Sequence, residues 1–405
     1  MRVLRILLFI FIATIFTETA FAAAFQLYEL GTPIIGTAGT GQAAVAEDAS
    51  TAYFNPAGMA LLPSSQFMLG SQLLIPYINF SKSIQRNSIP GDNGGNAGML
   101  TPGMDVYFVY RHSPVTSFGI SMTSPYGGLL NYNDGWVGRY IVQNVAFYTI
   151  NVNPSMSVKI SDWFAIGAGV AVEYINLQEA VAIPNRITSL IDGQIKLSLV
   201  NFAPGFNLGV MFTPSLHTRI GIAYRSRINH DLHGNATFLR IEQTPDAKTT
   251  MIMPHNVVMS FLQDFNRFTF LGELGWANWA SMKNTILNVR NFSVVTPLNW
   301  RNTYRMGLAT QFHVNSCLLF QAGASYDSSP TSSSRRLPDL PMDRQIRIGT
   351  GVMYKIIMPV TLGASYEYMN FGHANINNIS SEGNLVGSYS RNYANVFQVS
   401  LNVEM

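Results

Sequence analysis

From Pro63 to the C-terminus the chain alternates apolar residues with small or polar ones, and this period of two limits its fold more than any other feature. Phe164, Ile166, Ala168, Val170, Val172 and Tyr174 are interleaved with Ala165, Gly167, Gly169, Ala171 and Glu173. Leu318, Phe320, Ala322, Ala324 and Tyr326 alternate with Gln321, Gly323, Ser325 and Asp327. Ile346, Ile348, Thr350, Val352 and Tyr354 alternate with Gln345, Arg347, Gly349 and Gly351. A soluble sheet turns such a polar face to water, whereas a membrane barrel turns the apolar face to lipid and the polar face to its lumen. Alternation alone does not separate the two.

The connections do. The pattern predicts fourteen strands, centred near Gly70, Tyr107, Ile120, Ile150, Gly169, Phe202, Ala223, Met259, Leu271, Gly307, Gly323, Gly349, Gly363 and Val399. Short turns fall at Ser113-Pro114, Ser161-Asp162, Pro214-Ser215, Asp264-Phe265-Asn266, Val314-Asn315 and Met358-Pro359. Longer loops fall near Gly91, Gly135, Pro184, Pro245, Asn291, Ser333 and Asn378. Short turns on one side and long loops on the other are the layout of an up-and-down outer-membrane barrel. Only 12% of the 405 residues are charged, about half the soluble average, while 47% are apolar. No run after the N-terminus is long enough for a membrane helix. The formal net charge of +3 gives no reason to expect nucleic acid as a partner.

Arg2 and Arg5, an apolar run from Ile6 to Phe16, and the small-x-small patterns Ala20-Phe21-Ala22 and Ala22-Ala23-Ala24 predict a secretory signal peptide over residues 1–22. Between it and the strands lies a stretch rich in small residues. It contains Gly31, Gly36, Gly39 and Gly41, a helix candidate from Ala43 to Ala52, and Tyr53-Phe54-Asn55-Pro56-Ala57-Gly58-Met59. A compact piece before a long run of strands suggests a plug, residues 23–63, inside a barrel of residues 64–405. Gly221-Ile222-Ala223-Tyr224-Arg225, Gly323-Ala324-Ser325-Tyr326-Asp327 and Gly363-Ala364-Ser365-Tyr366-Glu367 share one pattern. Tyr there fits the lipid–water boundary, with an apolar ring and a wet hydroxyl.

Phe25-Gln26-Leu27-Tyr28-Glu29, and then the run from Ala44-Val45-Ala46-Glu47-Asp48 through Ala49-Ser50-Thr51-Ala52 to Tyr53-Phe54-Asn55-Pro56-Ala57-Gly58-Met59, resemble the start of the FadL family of outer-membrane long-chain fatty-acid transporters. Patches such as Gly275-Trp276-Ala277-Asn278-Trp279 and Arg301-Asn302-Thr303-Tyr304-Arg305 extend the resemblance along the mature chain. It implies a fourteen-stranded antiparallel barrel with an N-terminal plug, multi-pass in the bacterial outer membrane. It also implies passive transport of long-chain fatty acid or another apolar small molecule, with lateral exit through the wall. Aromatic-hydrocarbon uptake is the alternative within the fold; a general porin and an outer-membrane lipid hydrolase are weaker ones. Outer-membrane lipid is an expected partner, and a monomer is expected.

In the family the Asn-Pro-Ala tripeptide lies in the plug against a kinked strand. Here that implies Asn55, Pro56 and Ala57 packed against the third strand at Ser124, Pro125, Tyr126 and Gly127, where Pro125 breaks the ladder because it has no N–H to give. The resemblance also implies a carboxylate contact at Arg301, beside the ring of Trp300, with Phe25 on the ligand path. The family's second basic ligand is not matched: Glu173 and Tyr174 stand in its place, and Arg225 or Arg227 is the substitute. The loop near Pro184 is shorter than the family's, and Met405 replaces the usual terminal aromatic residue.

Nothing else in the sequence carries chemistry. Gly39-x-Gly41-x-x-Ala44 imitates a dinucleotide fingerprint but follows no strand. The seven His residues include no pair with metal spacing on one element, and His230 and His233 read as solvated. Cys317 reads as a small apolar filler within a strand. No catalytic set, metal or cofactor is expected.

Overall fold

The computed structural model describes residues 26–28, 30–184, 192–239, 244–357, 359–380 and 383–405. The expected signal peptide and most of the loop after Pro184 lie outside these residues. Alternating residues build fourteen antiparallel strands, some in a single run and some in two pieces. In chain order they begin with Gln66–Lys82 and Thr101–Arg111. The third is interrupted, Thr116–Thr123 and then Gly127–Asn131. Asn144–Ser161, Phe164–Ile183 and Gly193–Ser215 are the fourth to sixth. The seventh to tenth each come in two pieces: Thr218–Arg225 with Ile228–Phe238, Asp246–Met253 with Asn256–Phe265, Phe268–Ala277 with Asn284–Val289, and Phe292–Pro297 with Thr303–His313. Leu318–Asp327, Gln345–Ile357, Val360–Asn370 with Ala374–Ser380, and Gly383–Glu404 complete the set. Each strand pairs with its neighbours, and the first closes on the last from Gln66↔Glu404 to Lys82↔Gly387. Closure removes the two free edges that an open sheet would present to lipid, which offers no hydrogen bonds.

The faces are those of a membrane barrel. Val170, Val172, Phe202 and Leu308 point outward and are 62%, 53%, 69% and 75% exposed. Glu173, Asp327, Arg347 and Glu367 point inward and are buried.

They are buried because residues 30–62 run through the lumen. This segment holds two short 3-10 helices, Pro33–Thr37 and Pro56–Leu61, and one helical turn, Thr51–Phe54. The longer helix expected from Ala43 to Ala52 does not form. Ala46, with φ +45°, breaks it, and the chain just before is held to the wall: the N–H groups of Gly41 and Gln42 donate to Glu273 Oε2, both at 2.9 Å, and that of Ala43 donates to Ser260 Oγ at 3.0 Å.

A ring of inward glycines seats the segment. A Cβ on Gly70 would lie 1.9 Å from the Gly31 carbonyl oxygen, and one on Gly221 would lie 1.7 Å from that of Ala43. Gly323 and Gly349 meet the carbonyls of Thr37 and Ile35 in the same way, and Gly167 meets the Pro56–Ala57 peptide. The repeated Gly-x-small-Tyr-charge pattern therefore does three things. Its glycine admits the segment, by backbone at Gly221 and Gly323 and by the Pro33 ring at Gly363, its tyrosine faces outward, and its charge faces the lumen two residues beyond the small one.

Two expected loops are different. Near Asn291 the ninth and tenth strands continue as a paired ribbon to Val289↔Phe292, and Asn378 lies within a strand paired to the last one. The bonding of these strands extends beyond the apolar band. Cys317 lies exposed in the turn before the eleventh strand, not within it.

Replacing Gly221 with Val puts side-chain atoms where the Ala43 carbonyl sits, and overpacking of this kind costs about 1–3 kcal/mol. We expect Gly221→Val to keep a heat-modifiable barrel but to raise its conductance in planar bilayers. Conductance equal to that of the parent protein would mean the segment is not seated by this glycine.

Candidate ligand path and gate

The wall is interrupted at the third strand. The second strand pairs with it from Val106↔Met122 to Arg111↔Ser117, and residues 101–105 have no ladder partner there. Pro125 interrupts the strand as its missing N–H requires. Outward from the gap lie Met99, Leu100 and Met104, which are 40%, 58% and 62% exposed.

The freed groups are met from inside. Pro125 O accepts from Leu27 N–H at 2.9 Å, and Gln26 bridges to Tyr126. Tyr126 N–H donates to Thr149 Oγ1 at 3.1 Å, and Ser124 N–H donates to Asp105 Oδ1 at 3.0 Å. Gly127 lies beside Leu27: a Cβ there would stand 3.6 Å from Leu27 Cδ1, in ordinary contact.

The resemblance pairs this break with Asn55-Pro56-Ala57, and the structure places that tripeptide elsewhere. Asn55 Nδ2 donates to Val210 O on the sixth strand at 3.1 Å and to Ala43 O at 2.7 Å. Pro56 and Ala57 lie over Gly167 on the fifth strand. Asn55 Oδ1 caps the following 3-10 helix through Ala57 N–H at 3.1 Å. Asn55 and Pro56 need strands that let backbone come close, and Gly167 and Gly209 provide them. Residues 26–27, which nothing in the sequence ties to the break, reach it instead.

Tyr28 fixes those residues. Its ring lies between two guanidinium groups, with Arg305 Cζ 4.0 Å and Arg347 Cζ 4.8 Å from the centroid. Burial, and next Asp327, hold its hydroxyl above the usual tyrosine range, so the ring stays neutral. The two cations are balanced inside the lumen: Arg305 pairs with Glu273 at 3.2 Å, and Arg347 with Asp327 and Glu367 at 3.5 Å each.

Above the break the lumen is apolar. Tyr126 meets Trp279 edge-on at 6.2 Å, and Trp279 meets Trp300 at 5.5 Å. Ile228, Leu232 and Met253 belong to the same buried cluster. Trp300 is thus in the lumen, whereas Arg301 is exposed and its N–H donates to Pro330 O at 2.7 Å. The expected side-by-side action of Trp300 and Arg301 does not match these opposite exposures. Phe25 lies outside the described residues.

Arg225 lines two cavities of the lumen. Its guanidinium stacks 3.4 Å from the Tyr53 ring centroid and donates to Tyr53 O. Cavities open on either side of this pair. One is lined by Gln26, Leu27, Tyr28, Gln42 and Asn256 and, among the described residues, by no carboxylate. The other is lined by Pro125, Tyr126, Asn151, Glu173 and Met253. Arg227 is exposed, away from both. His230 is not solvated as expected: it is fully buried, with Nε2 3.2 Å from Glu173 Oε1 and Nδ1 3.1 Å from Asn201 Oδ1. His233 is exposed.

Residues 13–404 match the family model of the outer membrane protein transport proteins (OMPP1/FadL/TodX). The chain belongs to this family. It is an outer-membrane transport channel, not an enzyme. The long-chain fatty acid transport protein of Salmonella typhi is 23% identical, over 90% of this chain and 91% of that one. Outer membrane protein P1 of Haemophilus influenzae is 24% identical, over 94% of this chain and 95% of that one. Among solved structures, a Pseudomonas aeruginosa FadL homologue superposes with a TM-score of 0.86 at 20% identity, covering 94% of this chain and 100% of that one. The Ralstonia pickettii toluene transporter TbuX does so with a TM-score of 0.72 at 18% identity, covering 94% and 100%.

Asn55→Ala removes a helix cap and leaves two carbonyls short of a donor, a loss of about 1–3 kcal/mol at the segment. Hydrogen exchange at Ala57 should speed accordingly, while exchange at Leu27 stays as in the parent. Faster exchange at Leu27 alone would contradict the placement of the tripeptide.

Proposed function

We propose that this protein carries long-chain fatty acids or similar apolar amphiphiles passively from the cell exterior into the outer membrane, leaving sideways at the third strand. Residues 1–22 act as signal peptide, residues 23–63 as plug and residues 64–405 as the barrel. The observation that carries the reading is the pair formed by Leu27 N–H and Pro125 O. It is a single bond, made near the start of the plug, where the second and third strands part. An apolar molecule that leaves into water loses about 25 cal/mol per Å² of apolar surface it exposes, and a sideways exit avoids that loss.

The route begins at the mouth, where exposed Arg301 attracts an anionic head, and passes the apolar cluster around Trp300 and Trp279. The chain then reaches the cavity beside Arg225. Arg225 in its lining offers an acid head group two parallel donors, and no carboxylate among the described lining residues competes for them. Withdrawal of residues 26–28 opens the wall. A porin is disfavoured because the segment fills the lumen. Aromatic hydrocarbons remain a second reading, favoured by the Tyr126–Trp279–Trp300 series of rings, which suits flat ligands as well as chains.

Two outcomes are expected. In a Cys317→Ser background, Leu27→Cys with Gly127→Cys should cross-link the gate under oxidation. Oleate uptake should then fall about tenfold or more, as locking a gating segment implies, and return on reduction. Full uptake by the cross-linked protein would end the lateral route. Arg225→Met and Arg301→Ala should each weaken oleate binding about tenfold while sparing a neutral hydrocarbon, as loss of a charge-assisted contact implies. Unchanged oleate affinity would remove that residue from the path.

A further inference from the structure

The second cavity beside Arg225 has a feature that transport of a plain acid or hydrocarbon does not use. Asn151 lines it and is only 2% exposed. The orientation of its amide is fixed, because Nδ2 donates to Glu173 Oε2 at 2.9 Å and a carboxylate can only accept. Glu173 is held in turn, with its other oxygen 3.2 Å from His230 Nε2, itself 3.1 Å from Asn201 through Nδ1. Asn151 Oδ1 is therefore left as an acceptor, and among the described residues it has no hydrogen-bond partner. Most of the remaining lining is apolar or aromatic: Tyr53, Pro125, Tyr126, Phe206, Ile228 and Met253.

A buried acceptor without a donor costs about 1–3 kcal/mol, and a ligand that brings the donor recovers it. Arg225 and Glu173 both line the cavity and their charges offset, and a carboxylate brings no donor for Asn151 Oδ1. A neutral hydroxyl brings one.

We propose that this cavity is a subsite for the hydroxyl of an apolar alcohol or phenol, with Asn151 Oδ1 as acceptor and the ring of Tyr126 and the side chains of Ile228 and Met253 against the apolar body. This rests on the reading that the cavity lies on the ligand path. It adds a class of cargo, hydroxylated apolar molecules, that the other cavity beside Arg225 does not select.

Three nearly equal-sized probes isolate the donor: p-cresol, 4-methylanisole, which can accept but not donate, and p-xylene. Equilibrium dialysis of the detergent-solubilised full chain, against a detergent blank, should give p-cresol about five- to tenfold tighter than either of the others. Asn151→Leu, close in size, should abolish that preference and keep p-xylene affinity, with heat-modifiable migration confirming a folded barrel. 4-Methylanisole bound as tightly as p-cresol by the parent protein overturns the proposal without any variant. A p-cresol preference that survives in Asn151→Leu overturns it too. Uptake of p-xylene into proteoliposomes is measured separately. Selective binding without uptake would remove the transport reading and leave the subsite, and uptake without selectivity would do the reverse.

Discussion

Lipid offers no hydrogen bonds, so every backbone group in the wall has to find its partner within the protein. Fourteen strands closed on one another meet this demand almost everywhere by ladder pairing. The ladder lapses between the sixth and seventh strands, from Val200↔His233 to Asn207↔Arg225, and, among the described residues, also at the stretch between Thr123 and Gly127, where a proline removes a donor and the second strand has no register pair to offer. Whatever closes that stretch from inside controls whether the lumen communicates with the bilayer. Leu27 does it with one backbone bond, and Tyr28, between Arg305 and Arg347, holds Leu27 in place.

The same demand explains the charges. Cations and carboxylates are costly inside a barrel unless paired, and breaking one buried pair costs about 3–5 kcal/mol. Arg305 and Arg347 are paired with Glu273, Asp327 and Glu367, and both also face the Tyr28 ring. Glu273 has a second task, since it takes the N–H groups of Gly41 and Gln42. One network therefore fixes both the body of the segment and the short piece that closes the wall. Gly41 imitates a dinucleotide loop in sequence, and its N–H does bind an anion, but the anion is a side chain of the barrel.

The strands are legible in the sequence because period two and turn spacing are local properties. All fourteen predicted centres fall inside observed strands, and the outward faces are those that alternation assigns. The interior is less legible because it depends on which distant residues meet. Alternation puts Glu173 on the polar face, but nothing local says that His230 meets it there, because that depends on the register of distant strands. The repeated Gly-x-small-Tyr-charge pattern is visible, but its glycine acquires meaning only from a segment far upstream in the chain. Asn55-Pro56-Ala57 stands out by its rigidity, and the rigidity is real. Its place in the lumen is set by Gly167 and Gly209, and no local signal links those glycines to it.

This division of labour bears on how the gate can move. The tripeptide is locked against the fifth and sixth strands by Asn55 and by close backbone approach, and much of residues 31–57 sits on glycines that leave no free space. Moving that body as a unit would have to break many contacts at once. Among the described residues, residues 26–28 touch the third strand through one backbone bond and one bridge, and the Tyr28 ring faces two cations, an interaction of about 0.5–2 kcal/mol per pair. On the proposed lateral route, a ligand that favours the displaced position of these residues would shift them by its difference in affinity for the two positions. On that route the body of the segment serves as a fixed floor, and residues 26–28 are the part with the fewest contacts to break.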